Sequence, residues 1–406
     1  MKFRDIQSAL SWIMSRRSNG NHFERFQRVM AKLDNPQDDF GIIHVAGTNG
    51  KGSTVTYLRD MLMSLGYHVG TLQSPHFLTH LDRIRFDAKN IKEKAFLDIL
   101  NEYYDFFEKE SLSMFEMDYI IMCAYFKKMQ ADYVIVEVGM GGIYDSTNVV
   151  HHPLLSIITT IGHDHLKELG PTLKDVTINK CGIIKDACPV LVGKLPLVLK
   201  KVVKKEALRH HSPYYELSEY KDLGNFIYKE EKYHIASLAS YQIHNAALAL
   251  EALFVLKENY DIRLEKVLYK QALGKTLWAG RFEVLDRAPL LILDGAHNPE
   301  GAKALKKSLD RIPLKKILIF SALRRKDYEA VLEILDGAFK KIYLCDFESK
   351  ECFDAKEEAS RIGYEYHKDY YELYESLKKE ATCIVVSGSL YFISAFYERY
   401  QQRRIN

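Results

Sequence analysis

A two-domain α/β protein with mainly parallel sheets is what this 406-residue chain predicts. Three observations carry that reading. Short apolar runs alternate with amphipathic helical stretches over most of the length, as when helical crossovers join parallel strands. A glycine turn of phosphate-holding composition follows an early apolar run. After a seam over 275–281, rich in glycine and small residues, a second alternating series begins near Phe282, and the length itself exceeds what one core usually holds. The expected domains are 1–279 and 280–406, with a cleft between them.

In order along the chain, the apolar runs 42–46, 68–72, 133–138, 154–161 and 189–192 read as strands. Helical periodicity covers 95–107 and 115–129, and again 245–256. Residues 226–236, with Tyr-Lys-Glu-Glu-Lys-Tyr at their centre, read as a polar-tipped hairpin. The second series supplies strands over 290–293, 316–320, 342–345 and 383–386, and a helix over 390–400 closes the chain.

Apolar content of 47% with 27% charge is that of an ordinary soluble protein. A formal net charge of +3 is too small to argue for nucleic acid, and the lysines at 200, 201, 204 and 205 read as a solvated helix face. The six cysteines form no Cys-x-x-Cys pair, and several sit in apolar runs, so a reducing cytoplasm is expected. The start, Met1-Lys2-Phe3-Arg4-Asp5, carries charge where a signal peptide needs an apolar core, and no apolar stretch approaches a membrane span.

The chemistry concentrates at strand ends. Gly47-Thr48-Asn49-Gly50-Lys51-Gly52-Ser53-Thr54 sits between an apolar strand and a helix. Its glycines let backbone N–H groups converge on an anion, Lys51 adds a point charge, and a hydroxyl can reach Mg²⁺. Gly52 separates Lys51 from Ser53, which departs from the usual P-loop spacing. Glu137 ends an apolar strand, where ligands of open α/β sheets collect. His163-Asp164-His165 ends the next strand and suggests metal or phosphate contact, though Mg²⁺ prefers oxygen. Lys180 precedes an apolar turn, either as a solvated helix lysine or as a reactive buried one. In the second series, Asn298 and Pro299 suit a helix cap and first turn. Capping does not account for Asp294 and His297, which read as a second half-site, with Arg281 placed to reach a phosphate.

Taken in order, Gly47 through Thr54, Ser74-Pro75-His76, Glu137-Val138-Gly139-Met140-Gly141-Gly142, Asp164-His165, Lys180-Cys181-Gly182-Ile183, Gly280-Arg281-Phe282-Glu283-Val284 and Asp294-Gly295-Ala296-His297-Asn298-Pro299 resemble folylpolyglutamate synthase, including its dihydrofolate synthase form, within the Mur ligase superfamily. The resemblance runs from about residue 20 to the last helix. It implies a P-loop-type Mur-ligase ATPase domain that binds ATP and folate, followed by a smaller Rossmann-like glutamate ligase domain. The implied reaction is ATP-dependent amide formation. ATP phosphorylates the folate's carboxylate, and the amine of L-glutamate attacks the acyl phosphate.

By the same resemblance, Asn49, Gly50, Lys51, Gly52, Ser53 and Thr54 hold the phosphates, and Asn245, Arg281 and Asp294 contact ATP. Ser53, Ser74, Glu137 and His165 are the implied Mg²⁺ ligands, Lys180 matches a carbamylated lysine, and His297 lies near the phosphates. Lys51, Glu137, His165, Lys180 and His297 form the implied catalytic set. Phe115, Glu116, Tyr144 and Asp145 fall on the folate side. The chain departs from the family pattern at Ile143 and Tyr144, where Arg-Leu is usual, at Asn179, where glutamate precedes the lysine, at Ala279, where proline is usual, and at Asp118, where threonine is common. The expected partners are ATP, L-glutamate and a reduced folate or dihydropteroate, with no nucleic acid, no membrane and a monomeric state. A UDP-muropeptide Mur ligase is disfavoured because only about forty residues precede Gly47. A non-catalytic nucleotide-binding protein would not need both half-sites.

Overall fold

The computed structural model describes residues 2–17, 22–379 and 381–405. The chain divides into two compact units. One comprises Met1–His234 with Asn245–Thr276, the other Ile235–His244 with Leu277–Asn406. The second unit therefore takes a short segment from the middle of the chain, which contiguous ranges such as 1–279 and 280–406 do not describe.

The first unit is built on an eight-stranded sheet. Its strands are β1 (Gly41–Ala46), β2 (Val69–Leu72), β3 (Ile84–Phe86), β4 (Lys89–Asn90), β5 (Tyr133–Glu137), β6 (Leu155–Ile158), β7 (Val190–Val192) and β8 (Tyr214–Glu216). The order is β4-β3-β2-β5-β1-β6-β7-β8, with β3 and β4 antiparallel to their neighbours and the rest parallel. β1 is buried from Ile42 to Ala46, as a strand covered on both faces must be. It lies between β5 and β6, so the connections after β1 and after β5 leave in opposite directions. Such a switch opens a crevice at the carboxyl ends of the strands, and the turns after β1, β5 and β6 all start there. An apolar cluster containing Phe26, Phe96, Phe107, Tyr119 and Phe126 packs with Ile42, Val134 and Val136, and a second containing Ile158, Val190 and Val203 packs with Ala46 and Val138.

A separate three-stranded meander, β9 (Tyr220–Leu223), β10 (Asn225–Tyr228) and β11 (Glu231–Tyr233), carries the expected hairpin. The second unit has a six-stranded sheet made of β12 (Arg281–Arg287), β13 (Leu290–Asp294), β14 (Lys316–Phe320), β15 (Lys341–Asp346), β16 (Glu365–Asp369) and β17 (Cys383–Ser387). Its order is β12-β13-β17-β14-β15-β16, with only β12 antiparallel.

The expected strands and helices form, with instructive differences. The 154–161 run stops at Ile158, because the backbone beyond it turns to bond the glycine loop, Thr48 N donating to Thr160 O at 2.8 Å. The 245–256 helix extends over Ser240–Tyr260. β3, β4, β8, β9, β12 and β16 were not expected; they are short, polar or at sheet edges, where apolar patterning is weak. Lys200 and Lys204 lie on the helix Leu197–Arg209 and both pair with Glu216 of β8. All six cysteines are buried and unpaired, and no described helix is long and apolar enough to cross a membrane.

Candidate functional site

The glycine loop is held from below by the segment after β6. Asn49 N donates to Thr160 Oγ1 at 2.9 Å, and the hydroxyls of Thr159 and Thr160 donate to Asn49 O at 2.7 and 3.0 Å. Thr48 Oγ1 accepts from Gly162 N at 3.0 Å. Two glycines are sterically required. A Cβ on Gly47 would lie 1.9 Å from Thr159 Oγ1, and one on Gly50 would lie 2.4 Å from Asn245 Oδ1. Gly50 also has a φ of +86°, a region side chains avoid. It is the N-cap of the helix Lys51–Ser64, which has no side-chain cap. Such a helix start presents its first amides, and its partial positive charge, to an anion.

Charge converges on this loop. Lys51 Nζ and Lys180 Nζ each donate to the single carbonyl oxygen of Gly47 at 3.1 Å. Glu137, at the end of β5 and 6% exposed, has its carboxylate 3.9 Å from Lys51 Nζ. Burial drives the Lys180 ammonium down, and Lys51 pushes it further, to a pKa of about 7, against the opposing pull of Asp164 and Asp145. Lys180 occupies the last turn of the helix Leu173–Cys181. The turn after β5 lies on that helix end, Ile143 N donating to Asn179 O at 3.0 Å. Ser53 is buried in the first turn of the loop's helix. Gln73, the neighbour of Ser74, donates Nε2 to Gly52 O at 3.0 Å, and its Oε1 is buried with no hydrogen-bond partner. His165 adopts a φ of +52°, its ring one-third exposed between Asp164 at 3.8 Å and Glu168 at 3.9 Å.

The expected folate-side residues divide into two groups. Phe115 and Asp145 meet at Gly139, whose added Cβ would lie 3.0 Å from the Phe115 ring and 3.1 Å from Asp145 Oδ2. Asp145 accepts from Met140 N at 2.8 Å and from Thr147 N and Oγ1 at 3.0 and 2.5 Å. Burial nevertheless raises its carboxyl above the usual range. Tyr144 beside it is 58% exposed. Glu116 is engaged elsewhere: it closes a capping box with Ser113, and its two carboxylate oxygens both accept from Arg25 Nη2, at 2.8 and 2.6 Å.

In the second unit, Asp294 ends β13 and is paired in register with Arg281 of β12. Its Oδ1 accepts from Ala296 N at 2.9 Å, and its Oδ2 accepts from Phe282 N at 3.0 Å and from the Tyr241 hydroxyl at 2.5 Å. Burial raises its carboxyl, opposed by Tyr241 and Arg281. His297 Nδ1 donates to Gly295 O at 2.8 Å. Asn298 caps the helix Pro299–Leu309 by accepting from Gly301 N at 2.8 Å, with Pro299 in its first turn.

The sequence matches two family models, the Mur ligase middle domain over residues 45–253 and the Mur ligase glutamate ligase domain over 280–390. Dihydrofolate synthase/folylpolyglutamate synthase of Bacillus subtilis is 33% identical over 98% of this chain and 99% of its own length. The chain belongs to this family. Among solved structures, E. coli FolC in complex with DHPP and ADP superposes with a TM-score of 0.90 at 25% identity, covering 98% of each chain. A bifunctional folylpolyglutamate synthase/dihydrofolate synthase with Mn, AMPPNP and L-glutamate bound gives 0.86 at 26% identity, again over 98% of each chain. The protein is therefore an ATP-dependent ligase that forms C–N bonds, with the two-domain Mur ligase fold.

Within the family frame, the loop, Lys51, Lys180, Glu137 and Asn245 gather in the first unit, and Arg281, Asp294 and His297 in the second. Sequence reasoning missed Gln73, Thr159, Thr160, Arg25 and Tyr241. Tyr241 had a usable signal: it precedes Asn245 by four residues, so the two share one helix face. Thr159 and Thr160 had a weaker one, since paired hydroxyls directly after a buried strand are well placed to bond a neighbouring loop. Arg25 had none, because its partner is 91 residues away.

Proposed function

We infer that this ligase adds L-glutamate to a folate acceptor, either dihydropteroate or an already glutamylated reduced folate. ATP phosphorylates the acceptor's carboxylate, and the glutamate amine then displaces phosphate from the acyl phosphate. The observation that carries this reading is the uncapped start of the helix Lys51–Ser64, with the Lys51 ammonium held beside it on the Gly47 carbonyl. An ammonium beside an uncapped helix start forms an electrostatic arrangement that a polyphosphate completes. Phosphoryl transfer needs mainly positioning and charge neutralisation, which the loop amides and Lys51 supply. The names of the related enzymes support the substrate assignment.

A divalent ion fits the donor set. Ser53, Ser74 and Glu137 offer hard oxygens, with His165 as a fourth ligand. Among the described residues no three His, Cys, Asp or Glu side chains cluster as a metal site. Two hydroxyls, one carboxylate and one imidazole would leave coordination positions for phosphate oxygens and water, as Mg²⁺ favours. When bound, the ion would neutralise charge on the phosphates. Lys180 is proposed to be carbamylated: its neutral amine adds to CO₂ and a proton leaves, so a cation becomes an anion. A pKa of about 7 supplies that neutral amine at cellular pH.

Phe115, Asp145 and the exposed Tyr144 form the proposed pterin side, with Glu116 acting through Arg25. The first unit is assigned ATP and folate binding and the second the glutamate ligase role, in a monomeric cytoplasmic enzyme. The test is phosphate release from ATP with glutamate, run side by side on dihydropteroate and tetrahydrofolate. Glutamate-dependent release with at least one acceptor is expected. Release with neither would refute the assignment.

A further inference from the structure

Asp294 is held by three donors, of which two are backbone amides of its own hairpin and turn. The third, the Tyr241 hydroxyl, comes from a separate element, the first turn of the helix Ser240–Tyr260. The same turn is pinned within the second unit, Ser240 N donating to Ser308 Oγ at 3.1 Å. Gln242 Nε2 approaches Arg281 O at 3.5 Å. This turn therefore reaches both the carboxylate and the backbone of the Arg281 strand.

The strand it braces is strained. Phe282, a bulky residue, has a φ of +53°, and the β12–β13 register shifts between Arg281 and Glu283. A left-handed aromatic residue persists only where its surroundings impose it. Here the Phe282 amide is turned inward to Asp294 Oδ2, the oxygen that also accepts from Tyr241. The consequence reaches Arg281. Its Nη1 lies 3.4 Å from Gly295 O, and a Cβ on Gly295 would sit 2.4 Å from that nitrogen. The guanidinium is thus laid across a turn whose geometry depends on the Asp294 rotamer.

The geometry points to Tyr241 as a positioning residue of the nucleotide half-site: by donating to Asp294 Oδ2 it fixes the carboxylate, the Phe282 turn and through them the Arg281 guanidinium. This rests on the reading that Arg281 and Asp294 contact ATP. A phenylalanine at 241 keeps the ring and deletes only the donor, leaving a buried carboxylate short of one hydrogen bond.

The test compares Tyr241→Phe, Asp294→Asn and the double variant, with KM for ATP, KM for glutamate, kcat and thermal unfolding measured for each. Tyr241→Phe is expected to raise KM for ATP about tenfold, with kcat changed less than about twofold and KM for glutamate unmoved. In the Asp294→Asn background the same change is expected to add nothing, because Tyr241 acts through that carboxylate. If Tyr241→Phe leaves KM for ATP unchanged while Asp294→Asn raises it, the proposal is wrong and the nucleotide reading stands. Additive effects in the double variant would also overturn it, since Tyr241 would then act by another route. Should Asp294→Asn leave KM for ATP unchanged, the nucleotide reading fails and takes the proposal with it.

Discussion

His44 sits at the centre of β1, fully buried, with Nε2 2.8 Å from Thr147 Oγ1 and Nδ1 without a partner. Burial, with a lesser push from Lys185, lowers its pKa from 6.5 to about 3. The folded protein therefore keeps the ring neutral where the unfolded chain protonates it. Its contribution is fully present above pH 6.5 and is lost as pH falls toward 3, at up to ~1.4 kcal/mol per pH unit. Thermal melts of wild type and His44→Gln between pH 7 and pH 5 should diverge, with a flatter dependence in the variant; equal slopes would remove His44 from the acid response. At the loop, Lys51→Ala removes a cation from the phosphate cradle and is expected to cost ~10²–10³ in kcat. It also removes the like charge that depresses Lys180. A ¹³C-bicarbonate NMR titration should show the Lys180 carbamate, and show it needing higher pH in Lys51→Ala. A carbamate signal that survives Lys180→Ala would contradict the assignment.

Among the elements, the turn from β1 into the helix Lys51–Ser64 gives the sharpest contrast. Gly50 and Gly66 flank the same helix, with φ of +86° and +93°. A Cβ on Gly66 meets nothing within 4 Å, whereas one on Gly50 drives into Asn245. Gly66→Ala should cost only the backbone strain, ~1 kcal/mol, with nucleotide affinity intact. Gly50→Ala should cost more and also abolish tight ATP binding, as calorimetric titration with a non-hydrolysable analogue would reveal. Comparable affinities would show that the loop tolerates displacement. These elements also mark what the sequence made legible. β1, its glycine turn and its helix could be read because apolar run, glycines and lysine are contiguous. β12 could not, because its alternation breaks at Val284-Leu285 and Asp286-Arg287 and its start looked like a linker. Glu116 was read through the resemblance as a folate contact, while Ser113-x-x-Glu116 is a capping box visible in the same four letters. The pairing of Tyr241 with Asp294 was hidden because the two are 53 residues apart, and only folding brings them together.

For the molecule as a whole, the division into units makes a claim about cooperativity. Ile235–His244 clusters with the second unit although the chain on both sides belongs to the first. Units that open separately should reveal this in native-state hydrogen exchange across a denaturant series. Amides of Ile235–His244 should lose protection together with β13, β14 and β17, not with β10 or with the later turns of their own helix. Protection that follows β10 instead would assign the segment to the first unit. Bound ATP analogue should raise the opening energy of whichever unit it contacts, by RT ln(1 + [L]/Kd).

The cysteines give the chain its own reporters. Cys123, Cys181 and Cys188 lie in the first unit and Cys345, Cys352 and Cys383 in the second, all buried. Burial also raises the pKa of Cys123, Cys181 and Cys345 well above that of a free thiol, which starves alkylating agents of thiolate. Every adduct thus records an opening event, and peptide mapping of the adducts would time each half of the enzyme without any introduced label.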